Sequence, residues 1–288
     1  MTTFTIRNRT DVLAAAPFAI GFQPHRSVVM MAIGPNTFHA RIDAPDNQQD
    51  LDACVRALLD PAVRHGAHTV IFALYDLPWQ PEHVAHTFRE RFAEHLRVGD
   101  VVLATQTEYQ AEDGTWVTYD TSTSALTAQA VVNGRVIHRS REELVAMLQP
   151  GLGTLAVIDR AANPADAAFM RSAVGALEVL SDTDLVRFVA NLDDPELRDV
   201  VTSSLTRDRA QEQVDFWVDV LRRTPVAHRT APAAELALAA WLAGNGALAW
   251  CALDAGGPSE LAKLMTHILE DAVPPSRWDG FRHALEAS

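Results

Sequence analysis

The chain has 288 residues, a net charge of −13, 48% hydrophobic and 21% charged residues, enough to bury one large core or two modest ones. No stretch is strongly basic, so bulk nucleic acid is excluded as a partner, because neutralising phosphates needs a Lys/Arg surface. No apolar run reaches the ~20 residues of a membrane span, no signal-peptide core is evident, and Cys54 and Cys251 make no disulfide framework, so a cytoplasmic, membrane-free setting is expected.

In chain order, "FTIRN" reads as a short strand. Asp11 is placed to cap the helix "VLAAAPFAI", which Pro17 is expected to break and Gly21 to end. "SVVMMAIG" is an apolar run of strand length and "TFHARIDA" alternates with period two, so the pair reads as a hairpin turning at "GPN". Leu51, Cys54, Val55, Leu58 and Leu59 fall at helical spacing, with Asp46 as cap and Gly66 as stop. "HTVIFALYD" is apolar almost throughout, as a central strand covered on both faces is. Val84, Phe88, Phe92 and Leu96 form one helical stripe, and "DVVLATQTEYQ" and "TWVTYDT" read as strands joined at "EDG". The order β-α-β-β-α-β-α-β-β predicts an α/β (or α+β) sandwich on a mixed sheet over residues 1–150. Ser140 and Glu143 suggest a capping box, and "PGLGT" (Pro150 to Thr154) a linker.

Beyond the linker, strand signals nearly vanish, and residues 151–288 are predicted to form an all-helical domain of about seven helices. "APAAELALAAWLAGNGALAWCAL" reads as two antiparallel helices around a very short turn, with Ala239, Ala240, Ala243, Ala247 and Ala249 at the contact. Small residues alternating with anchors such as Leu236, Trp241, Leu248 and Trp250 resemble a tetratricopeptide-like hairpin, without a clean repeat period.

Recognisable catalytic signatures are absent. Lys263 is the only lysine and follows Ala262, which excludes a GxxxxGK[ST] phosphate loop and confines Schiff-base chemistry to one helical position. His83 and His86 stand one turn apart but lack a third metal ligand; His65 and His68 flank a turn; Asp182, Asp184, Asp193 and Asp194 lack calcium-loop spacing and read as helix caps. There is no GxSxG elbow, and "GLG" lacks the spacing of a dinucleotide loop, so no cofactor and no metal are expected. The loop "GFQPHRSVV" is the best candidate ligand site. Arg26 and Ser27 at a strand entrance suit an anion, and His25 suits proton transfer. Tyr119, on a strand face with Trp116, and the hydroxyl run Thr121 to Ser124 form a second polar candidate.

Several stretches together resemble the actinobacterial family known as domain of unknown function 4192. The most distinctive are a G-F-x-P-x-x-S-x-V loop, matched by Gly21, Phe22, Pro24, Ser27 and Val29, and a G-x-G-A-L-A turn, matched by Gly244, Gly246, Ala247, Leu248 and Ala249. The resemblance spans nearly the whole chain and implies an actinobacterial or phage host, but no activity. Family members tend to carry a cysteine-rich segment after the W-x-x-Y strand, which "YDTSTSALTAQA" lacks. The leading expectation is a non-catalytic interaction or regulatory protein that docks a protein partner, or a second copy, through Trp241 and Trp250. The alternative is a small-ligand binder or enzyme using His25, Arg26, Ser27 and Tyr119 between the Gly21–Ser27 loop and the helical domain.

Overall fold

The computed structural model describes residues 6–122, 124, 127, 137–151, 153–155, 158 and 163–286. The chain divides into two compact units, Met1–Arg141 and Glu142–Ser288. The first is α/β, and the second has helices and no strand among its described residues.

The first unit begins with α1 (Arg9–Ile20), capped by Asn8, whose side chain accepts the Asp11 N–H at 2.9 Å. Residues 6–8 of the expected first strand are therefore a helix approach, and Asp11 receives the cap rather than providing it. Nor does Pro17 break the helix. Proline removes the N–H that would bond the Leu13 carbonyl, and the buried Tyr75 hydroxyl donates to that oxygen instead, at 3.2 Å.

Six strands follow in the order β2-β1-β3-β4-β5-β6. They are β1 (Ser27–Ile33), β2 (Phe38–Asp43), β3 (Thr69–Tyr75), β4 (Arg97–Ala104), β5 (Glu108–Gln110) and β6 (Trp116–Thr118). Only β3 and β4 pair in parallel; the other neighbours are antiparallel, so the sheet is mixed as expected. The stretch read as one strand from Asp100 to Gln110 is two, because the chain reverses at Thr105–Thr107, where the Thr105 N–H bonds the Glu108 carbonyl at 2.7 Å.

Between β2 and β3 runs α2 (Gln48–Arg64), capped by Asn47 rather than Asp46; between β3 and β4 runs α3 (Pro81–Ala93). Strand alternation separates the helices. Phe72 packs its ring on Phe88 and Phe92 of α3, at 5.1 and 4.8 Å, whereas Tyr75, three residues on, reaches α1. An odd spacing puts side chains on opposite faces, so α1 and α3 cover opposite sides of the sheet. A bulge at Gly99 uses the same rule. Val98 pairs with Val70 but Asp100 with Ile71, which moves Asp100 to the α1 face, where Arg9 holds it through two hydrogen bonds of 2.9 and 3.1 Å.

The second unit comprises α4 (Arg141–Met147), α5 (Ala167–Ala176), α6 (Asp182–Asn191), α7 (Pro195–Ser203), α8 (Ala210–Arg223), α9 (Thr230–Leu242), α10 (Gly246–Gly256), α11 (Glu260–Glu270) and α12 (Trp278–Glu286). Asp166, Ser181, Asp194, Asn245 and Ser259 cap α5, α6, α7, α10 and α11 with side-chain oxygens. The division falls at the start of α4, between Arg141 and Glu142, rather than at the expected 150/151; Leu144 and Leu148 are buried, and Arg229 donates to the Leu148 carbonyl. Nor is the "PGLGT" stretch loose. The Gly151 N–H bonds the Arg222 carbonyl at 3.0 Å and the Thr154 hydroxyl the same oxygen at 3.2 Å; Leu152 lies outside the described residues.

Every residue of α9 except Thr230 is buried, which makes it the central helix of this unit. Its hairpin with α10 explains the alanines and glycines. Ala239, Ala240 and Ala249 are fully buried, whereas Ala243 and Ala247 lie towards the turn and are part-exposed. Gly244 ends α9 at φ 77°, a conformation that needs no Cβ. At the far end the helices meet so closely that a Cβ on Gly256 would stand 2.2 Å from that of Ala233.

Candidate functional site

Three loops converge where the parallel strands β3 and β4 end, the usual place for ligands on sheets of this kind. Ser27, at the start of β1, pairs with Tyr75, at the end of β3, which pairs with Ala104, at the end of β4. His25, Asp76 and Gln106 lie just beyond these ends. His25 Nδ1 meets Asp76 Oδ2 at 2.9 Å, and Gln106 Nε2 donates to the same carboxylate oxygen and to the Pro24 carbonyl, both at 2.8 Å. Gln106 thus ties the carboxylate and the histidine loop to the β4–β5 turn. Backbone bonds anchor the other side of the loop: Gln23 N–H to the His138 carbonyl at 2.9 Å, and His138 N–H to the Gly21 carbonyl at 3.0 Å.

The backbone is held in an unfavourable shape here. Arg26 (φ 42°), Asp76 (φ 49°) and Gln80 (φ 37°) are left-handed non-glycine residues; the first two flank the strand ends at this edge and the third precedes α3. Such conformations persist where the surrounding structure over-determines them.

The four residues expected in a site take different roles. His25 is largely exposed (70%) and Asp76 mostly covered (20%), so the carboxylate orients the ring through Nδ1 and leaves Nε2 as its other proton-carrying nitrogen. Arg26 lies next to it but pairs with Asp46 at 2.7 Å, both side chains being more than half exposed. Ser27 is fully buried. Its hydroxyl donates to the His25 carbonyl at 2.7 Å and accepts from Arg41 Nε at 2.9 Å, so it shapes the loop and does not face the imidazole. His25, Ser27 and Asp76 are therefore not a nucleophilic triad, which requires a hydroxyl bonded to the ring. Tyr119 joins the group from the strand side. Its hydroxyl donates to the Thr105 carbonyl at 2.9 Å, and burial, with the Asp76 charge second, pushes it up to about 12. Thr123, of the hydroxyl run, lies outside the described residues.

Asp76 and Gln106 were missed by the sequence reading. An acid directly after the most apolar strand, "IFALYD", is the signal that finds Asp76; Gln106 has none beyond its place after the neighbouring strand.

The other candidates are dispersed. His83 bonds Gln48 Oε1 at 2.9 Å and His86 pairs with Glu90 at 3.1 Å. Asp182 pairs with Arg223 at 2.7 Å, and Asp184 and Asp194 serve helix starts. Among the described residues, no three His, Cys, Asp or Glu side chains gather as a metal site, and no helix is long and apolar enough to cross a membrane. Cys54 and Cys251 are thiols, and burial pushes the Cys54 thiol up to about 11. Trp241 is buried, donates to the Val273 carbonyl at 2.8 Å and packs edge-on against Trp278; Trp250 is partly buried.

Fold and site together define an α/β unit with a histidine–carboxylate pair at the carboxyl ends of its parallel strands, in one chain with a helical unit. The family described as Domain of unknown function (DUF4192) matches residues 10–276, and the chain belongs to it. No curated protein and no solved structure matches the chain.

Proposed function

We propose that the first unit binds a small polar ligand at the carboxyl edge of β3 and β4, and that His25 exchanges a proton with it through Nε2. The observation that supports this most is the chain His25–Asp76–Gln106, in which a carboxylate fixed by a second side chain orients an exposed imidazole. Arg26, one residue away, favours a ligand carrying negative charge. A cytoplasmic setting, with both cysteines as thiols and neither membrane nor nucleic acid as partner, belongs to this reading.

The test is a ligand screen with the wild type and Asp76→Asn, read on the imidazole nitrogens by NMR. Anionic metabolites that shift the His25 signals in the wild type, and lose most of their effect in Asp76→Asn, support the site. A library that leaves His25 untouched, or binds both proteins alike, removes it.

Protein docking through the second unit is the second reading. Its one support is Trp250, a partly exposed aromatic on α10; Trp241 faces inward and offers no surface. A partner or second copy retained by the wild type and lost by Trp250→Ala is its expected outcome.

A further inference from the structure

Glu235 is the one charged residue of the central helix α9, and it is fully buried. Its Oε1 accepts from the Thr202 hydroxyl of α7 at 2.6 Å, and its Oε2 has no hydrogen-bond partner among the described residues. The charged groups acting on it both belong to α7: Arg198 favours its ionised form and Asp199 opposes it. From the helices packed around α9, Asp215 of α8, Asp254 of α10 and Glu260 and Lys263 of α11 stand at the surface. A carboxylate here would be an uncompensated charge with one oxygen unsolvated, whereas a carboxylic acid is tolerated.

We propose that Glu235 is a proton-held latch: only its neutral carboxyl is tolerated in the dry contact between α9 and α7, and loss of the proton leaves a charge that the single Thr202 bond and Arg198 favour but do not solvate, which releases α7. Burial pushes the carboxyl up to about 8, so the latch works in the neutral range. When α7 lifts away, the solvated carboxyl ionises readily, so opening becomes easier as pH rises towards that value. The opening constant increases by up to about tenfold per pH unit.

Hydrogen exchange on the full chain, corrected for the intrinsic pH dependence of exchange, reads this directly. Amides of α7 and α9 are expected to open progressively more between about pH 5.5 and 7.5 in the wild type, and to show no such trend in Glu235→Gln, which keeps the shape without the charge. The same trend in both proteins overturns the latch. If the variant fails to fold, the infrared band of a protonated carboxyl in the wild type decides. Among the described residues Glu235 is the one buried acid, so a band that titrates near 8 and is absent from Glu235→Gln, folded or unfolded, supports the proposal, and one gone below neutral pH refutes it.

Discussion

Two side chains show how one residue is set by its surroundings. Glu235 keeps its proton in the folded chain until about pH 8, whereas the unfolded chain releases it in the ordinary carboxylate range. Across that window the folded state binds more protons, so its stability falls as pH rises, by up to about 1.4 kcal/mol per unit. Glu235→Gln removes this slope, and urea melts at two pH values measure the difference: the variant gains on the wild type as pH approaches 8. His25 is set by contact rather than burial. Asp76 fixes which ring nitrogen carries the hydrogen, and Asp76→Asn retains the shape while removing the charge. Nitrogen chemical shifts of the His25 ring are expected to change from one dominant tautomer to a mixture, with little change in folding stability, because the imidazole is largely exposed.

At the level of elements, helices are held together by single atoms. Tyr75→Phe deletes the hydroxyl that serves the Leu13 carbonyl, leaves a buried acceptor unpaired and is expected to cost about 1–3 kcal/mol in chemical denaturation. Gly256→Ala drives a methyl group into Ala233 at the α9–α10 contact; forced repacking of this kind costs about 1–3 kcal/mol, and shrinking the neighbour with Ala233→Gly is expected to restore part of it. Most of these elements were legible in the sequence, since periodicity finds the β1–β2 hairpin, the central strand and the helices of the second unit. What misled was local chemistry with a distant answer. Pro17 reads as a break until Tyr75, 58 positions later by subtraction, supplies the missing bond. "PGLGT" reads as a linker until the carbonyl of Arg222 is seen to hold it. In the site, His25 and Arg26 were legible as polar loop residues, but Asp76 and Gln106 are joined to them only by the sheet order, which no short window contains.

The whole molecule carries 37 acidic side chains against 24 basic ones. Self-repulsion of that excess weakens the compact state and is screened by salt. Raising monovalent salt from low to physiological strength is expected to increase thermal stability by on the order of 1 kcal/mol, or a few degrees in Tm; a flat or falling midpoint contradicts this. The helix that runs through Pro17 also has a consequence for how such chains diverge. A descendant that loses the proline recovers an amide for the Leu13 carbonyl, and the buried phenol of Tyr75 must then share that oxygen with it. A descendant that loses the phenol first is left with a gap in α1. Positions 17 and 75 are therefore expected to change hands together, so that a phenylalanine at the end of β3 accompanies a helix without its proline, and the two sites are inherited as one.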